Sequence, residues 1–193
     1  MLTKSTMTSL GTKAPDFSLL DVVTGKKISL ANFTEKKAFV VMFICAHCPY
    51  VKHVEKELAQ LGQNYQNKNV GIVAISANDA ETHPEDGPEE LKQQATDLGF
   101  PFPYLYDQSQ KVAKAYQAAC TPDFFVFNEQ RELVYRGQLD GSRPENFSVK
   151  TNGVDLRAAI DSVLSDQPIS ENQKPSMGCN IKWKSGNEPE YFL

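Results

Sequence analysis

Two segments of strand length, the continuous apolar run Ala38–Phe43 and the largely apolar Val70–Ser76, stand out in a chain whose other segments alternate or recur at helical spacing. Runs of strand length with no polar face predict strands buried on both sides, as in a sheet covered by helices. Between them Val51, Val54, Leu58, Leu61 and Tyr65 recur at steps of three and four, with Lys52, Glu55, Lys56 and Gln60 on the other side. That spacing predicts an amphipathic helix, and Pro49 suits its first turn, where a missing N–H costs nothing. Glu89–Leu98 reads as a helix closed by Gly99, Gln110–Tyr116 as a short helix, Tyr104–Tyr106 as a short strand and Val154–Leu164 as the last helix. Phe17–Asp21 and Lys27–Leu30 flank Thr24–Gly25, and Asp123–Phe127 and Glu132–Arg136 flank Asn128–Glu129. Both pairs read as antiparallel hairpins. Residues 78–88 are polar and rich in turn formers, so they read as a loop.

This order predicts an α/β fold in three layers, a mixed β-sheet flanked by helices, with an N-terminal hairpin. Residues 1–14 read as a loose lead-in. The domain is expected to span 1–164, with 165–193 as a C-terminal tail extension. The tail holds three prolines, but also Met177, Ile181, the lone Trp183 and Phe192. Disordered tails are poor in such residues, so it is expected to pack on the domain.

The 193 residues suffice for one sizeable core. A net charge of -4 with scattered bases argues against a nucleic-acid partner, since phosphate binding needs clustered Lys and Arg. No run is long enough to span a bilayer, and Met1–Lys13 lacks the apolar centre of a signal peptide. The expectation is a cytoplasmic protein with no membrane partner.

The four cysteines, Cys45, Cys48, Cys120 and Cys179, are too few for a disulfide scaffold. Cys45 and Cys48 lie three apart where a buried strand meets a helix, a placement that points to redox chemistry or metal. The thiolate is the nucleophile of disulfide exchange, and unpaired N–H groups at a helix start favour it. The placement predicts Cys45 as the more acidic, attacking thiol and Cys48 as the resolving one. His47 between them can stabilise a thiolate by charge or hydrogen bonding, which would make the disulfide more oxidising; the plainer reading is an exposed loop histidine. His53 reads as a solvated helix residue and His83 as loop surface. Zinc is the competing chemistry, with Cys45, Cys48, Cys120 and His47 as a conceivable ligand set. Structural zinc sites generally carry paired knuckles, and one CxxC between a buried strand and a long helix does not fit, so no metal is expected.

Phe43–Ile44–Cys45–Ala46–His47–Cys48–Pro49–Tyr50–Val51–Lys52 and Ala119–Cys120–Thr121–Pro122–Asp123–Phe124–Phe125 resemble a peroxiredoxin-like, AhpC/TSA-related group of thioredoxin-fold proteins. Ala14–Pro15–Asp16–Phe17, residues 135–140 and residues 175–184 are similar to it too. The resemblance implies a thioredoxin-like fold. It implies that Thr121–Pro122 carries a cis-proline facing the CxxC turn, with Thr121 offering backbone groups to a thiol substrate. The sequence departs from the peroxiredoxin pattern P-x-x-x-T-x-x-C. If Cys48 took the peroxidatic place, Cys45 would stand for the Thr and Val41 for the Pro. Arg136 is a conceivable thiolate partner, but reads better as surface.

The expected function is a thiol–disulfide oxidoreductase working through Cys45, His47 and Cys48, with Thr121 and Pro122 binding substrate. Its partners would be protein or small-molecule thiols and disulfides and an electron donor, with no cofactor. The alternatives are a thiol-dependent peroxidase acting on peroxide, and a redox-sensing module without turnover. Cys120 and Cys179 are candidate accessory redox thiols: the tail could bring Cys179 near Cys120 or Cys45, to relay oxidation or to cap the site. The plainer reading is two buried free thiols.

Overall fold

The computed structural model describes residues 1–146 and 148–192. Its elements are β1 (Leu2–Lys4), β2 (Ser18–Leu20), β3 (Lys27–Ser29), β4 (Ala38–Phe43), α1 (Pro49–Tyr65), β5 (Val70–Ser76), α2 (Pro88–Leu98), β6 (Tyr104–Tyr106), α3 (Lys111–Ala115), β7 (Cys120–Thr121), β8 (Asp123–Phe127), β9 (Leu133–Gly137), α4 (Val154–Leu164) and β10 (Met177–Asn180). The main sheet has the order β6-β5-β4-β8-β9. β4 is central, parallel to β5 and antiparallel to β8, so the sheet is mixed.

Side chains alternate across a strand, and this explains the unbroken apolar run of β4. Val40 and Met42 face α1 and α4, packing with Val51, Leu58, Leu61, Leu156 and Ile160. Phe39, Val41 and Phe43 face the other way, onto Phe125, Phe127, Val112, Tyr116 and the tail residues Ile181 and Trp183. Phe43 lies wholly buried with ring centroids 5.7 Å from Tyr116 and 6.0 Å from Phe125. Burying one such side chain contributes roughly 1.5–3 kcal/mol. Gly99 ends α2 at φ 63, the left-handed turn that a residue with a Cβ adopts poorly.

The structure departs from the sequence expectation in the lead-in and in the late hairpin. Leu2–Lys4, read as part of a loose lead-in, is a strand. It belongs to a second sheet of order β1-β10-β7, which joins the first residues, the tail and Cys120–Thr121. These strands have two to four residues each and no local period; pairing between distant segments creates them. The second strand of the late hairpin starts at Leu133, because Glu132 bridges to Lys13 instead. Among the described residues no helix is long and apolar enough to cross a membrane.

Candidate active site at the CxxC turn

β4 carries the chain to the sheet end, where the Ile44 amide still bonds to the Ile75 carbonyl at 3.0 Å. Cys45, Ala46 and His47 then turn into α1, with Cys48 as its N-cap in extended conformation and Pro49 in the first turn. The turn is fixed by Asp86, which is fully buried at the end of the loop that follows β5. One carboxylate oxygen accepts the amides of Ala46 at 2.8 Å and His47 at 3.0 Å. The other bonds to His47 Nδ1 and accepts Asn78 Nδ2 at 2.7 Å. The His47 ring stacks on His83 with centroids 5.4 Å apart.

The Thr121–Pro122 bond is cis and faces this turn. Thr121 meets both sulfurs: its Oγ1 lies 3.3 Å from Cys45 Sγ, and its carbonyl oxygen lies 3.3 Å from Cys48 Sγ. Cys45 and Cys48 have no solvent exposure. β10 runs antiparallel to β7 with Cys179 opposite Thr121.

The two sulfurs differ in their surroundings. Cys48 is pulled down to about 5, chiefly because the Cys45 thiol donates to its sulfur. The Cys179 thiol and the amides of Val51 and Cys179 act in the same direction, against burial. Cys45 is pushed up by the proton it holds toward Cys48, by burial and by the Asp86 charge; the Thr121 hydroxyl works against these. Burial, and then its hydrogen bond toward Cys48, push Cys179 up to about 12. These surroundings favour the proton on Cys45 over Cys48. When Cys48 is protonated it donates instead to the Thr121 carbonyl, a bond that ionisation gives up. Cys48 is the N-cap residue of α1, and its side chain makes no capping hydrogen bond.

The structure brings Cys45, His47, Cys48, Thr121, Pro122 and Cys179 together. Cys120 lies next to Thr121 but is wholly buried, with its thiol 3.6 Å from the Pro122 carbonyl and its pKa raised by burial and the Asp123 charge. His53 is not solvated as expected: its Nε2 lies 3.0 Å from the hydroxyls of Ser142 and Thr151. His83 is not plain loop surface, since it covers His47. Arg136 is no thiolate partner, because it binds the Thr8 carbonyl and the Gln173 side chain, each at 2.8 Å.

Sequence reasoning missed Asp86, Asn78 and Asp123. Asp86 and Asn78 sit in a polar segment that reads only as a loop, and nothing local marks the carboxylate that turns inward. Asp123 is fully buried, which pushes its carboxyl well above the usual range, and its oxygens make no hydrogen bond of ordinary geometry. For a metal, Cys45, His47 and Asp86 offer one ligand atom each within 4.8 Å of one another. Both Asp86 oxygens are already occupied by the four donors described. The carboxylate is thus committed to holding the turn.

A mixed sheet with helices on both faces, a CxxC turn between a central strand and a long helix, and a facing cis-proline define the thioredoxin fold. The same fold appears in a thiol:disulfide interchange protein from Chlorobium tepidum TLS, at TM-score 0.63 and 19% identity over 81% of this chain and 98% of that one. The chain belongs to the AhpC/TSA family, whose sequence profile matches residues 10–136. It is similar to the thiol-disulfide oxidoreductase ResA of Halalkalibacterium halodurans, 28% identical over 71% of this chain and 74% of the relative. An uncharacterised conserved protein from Geobacillus kaustophilus matches it at TM-score 0.93 and 52% identity, over 95% of this chain and 97% of that one.

Proposed function

We propose that the protein is a thiol–disulfide oxidoreductase whose redox centre is Cys45–Ala46–His47–Cys48, acting on protein or small-molecule thiols and disulfides. The observation that carries this reading is the placement of both sulfurs against Thr121, beside the cis-Pro122 bond. The similarity to a thiol-disulfide oxidoreductase supports it. In this reading the substrate parts β10 from the Thr121 edge and reaches the buried Cys48 thiolate, which attacks the substrate disulfide, forming a mixed disulfide and releasing one substrate thiol. Cys45 then attacks Cys48, the Cys45–Cys48 bond forms, and the second substrate thiol leaves with the proton from Cys45. His47, held by Asp86, fixes the turn and sits within 4.8 Å of the Cys45 sulfur. Residues 1–164 form the redoxin domain and 165–193 a tail that docks on it.

A second reading, thiol-dependent peroxide reduction, is favoured by the depressed Cys48 thiol. It is weakened by the departure from the peroxidatic pattern, with Val41 and Cys45 at the Pro and Thr places. Insulin disulfide reduction in the presence of dithiothreitol tests the first reading. Turnover that disappears in both Cys45→Ser and Cys48→Ser supports it. Peroxide consumption through a sulfenate on Cys48, without insulin reduction, would replace it with the second. Inactivity in both assays would leave a redox-sensing module.

A further inference from the structure

The tail does more than cover apolar surface. β10 inserts between β1 and β7 and sets Cys179 in register with Thr121, the residue that also meets both sulfurs of the CxxC turn. It is fastened on both sides of that position. Ser176 Oγ donates to the Pro122 carbonyl at 2.5 Å, and the Ile181 amide to the Ala119 carbonyl at 3.1 Å. The Lys182 amide reaches Asn78 Oδ1 at 2.8 Å, and Asn78 in turn holds Asp86. Gly178 makes the close approach possible: a Cβ there would overlap the Thr121 carbonyl oxygen and lie 3.2 Å from Pro122 Cδ. Cys179 packs against the buried cluster that contains Cys45 and Cys48. Of these three sulfur residues only Cys179 is partly exposed; Cys45 and Cys48 are sealed.

We propose that Cys179 is a third redox thiol, which takes over the oxidation of the Cys45–Cys48 pair by forming a Cys48–Cys179 disulfide and presents it to external thiols. This rests on the reading of Cys45–Cys48 as the redox centre. In the exchange Cys179 loses its proton to solvent and its sulfur attacks Cys48 Sγ. The Cys48–Cys179 bond forms, the Cys45–Cys48 bond breaks, and Cys45 leaves with the bonding pair and takes up a proton. The step is redox-neutral and needs no further oxidant. An external dithiol, from a small molecule or a protein, then attacks the accessible Cys179 sulfur and expels Cys48 as the thiolate that its surroundings already favour. Low-pKa thiols leave fastest. The second donor thiol resolves the mixed disulfide; the donor is oxidised, and Cys48 and Cys179 are reduced.

The test is peptide mapping under non-reducing conditions after equilibration in glutathione redox buffers, acid quench and alkylation. Wild-type protein should show the Cys45–Cys48 linkage. Cys45→Ser, which cannot form it, should yield monomeric protein with Cys48 linked to Cys179. Gly178→Ala should lower the yield of Cys48–Cys179 in the Cys45→Ser background by about tenfold, because overpacking displaces β10. In the wild-type background the same substitution should leave Cys45–Cys48 formation intact, and an unchanged cooperative urea unfolding transition shows that the variant folds. If wild type forms Cys45–Cys48 but Cys45→Ser carries only glutathione on Cys48, with Cys179 free to alkylate, the relay is wrong and the redox centre stands. If wild type forms no Cys45–Cys48 disulfide, both fall.

Discussion

Replacing Asp86 with asparagine should loosen the CxxC turn without touching a sulfur. The carboxylate is fully buried and accepts four hydrogen bonds, two on each oxygen. An asparagine keeps an oxygen for the amides of Ala46 and His47. Its NH₂ group, however, lands where the carboxylate accepted from His47 Nδ1 and Asn78 Nδ2. His47 can relieve one of these clashes by moving its proton to the other ring nitrogen. Asn78 cannot turn its amide without losing the Lys182 amide that its oxygen accepts at 2.8 Å. A hydrogen bond to a charged group contributes about 1.5–3 kcal/mol, and a buried donor left unpaired costs a similar amount. Asp86→Asn should therefore destabilise the reduced protein by about 2–4 kcal/mol. With a urea slope of roughly 2 kcal/mol/M, the unfolding midpoint should fall by about 1–2 M at unchanged slope. His47→Ala and the double variant close the cycle, and the coupling between the two sites should be about 1–2 kcal/mol. A midpoint within about 0.25 M of wild type, or no coupling to His47, would refute the view that Asp86 holds the turn.

Further outcomes follow from the same contacts. In reduced wild-type protein the thiolate absorbance at 240 nm should rise with a midpoint near pH 5 and be absent in Cys48→Ser; a rise only near the ordinary thiol value of 9.0 would contradict the placement of the thiolate. Because this pKa is lower folded than unfolded, the stabilising contribution of Cys48 is full above about pH 9, declines as pH falls through this window and is gone below about pH 5. The stability difference between wild type and Cys48→Ser should follow that course in urea titrations. His47→Pro should lower the reduction potential of the Cys45–Cys48 pair, each roughly 30 mV corresponding to about 1.4 kcal/mol; an unchanged potential in a glutathione series would leave His47 with a structural part only. Phe43→Ala empties a fully buried site between Tyr116 and Phe125 and should cost about 3–5 kcal/mol in denaturant unfolding, a loss under about 1 kcal/mol being incompatible with that packing.

The main sheet and its helices were legible because their periods are long and local. β4, α1, β5 and α4 each carry a run or spacing that admits one reading. The CxxC turn was legible for the same reason, lying between two such elements. The second sheet was not, because β1, β7 and β10 are short and gain their meaning from partners more than fifty residues away. Asp86 was invisible because a buried carboxylate in a loop looks, in sequence, like any solvated turn residue. The surroundings that favour ionisation at Cys48 were hidden for the same reason as the second sheet: Thr121 and Cys179 reach it from distant segments.

If Cys45 and Cys48 form a reversible redox pair, a redox titration will show it. Wild-type protein equilibrated across glutathione buffers, then quenched and mapped, should pass from dithiol to a Cys45–Cys48 disulfide in a two-electron transition, and back when the poise is reversed. Folded protein in which both thiols remain alkylatable after denaturation at every poise would contradict the account.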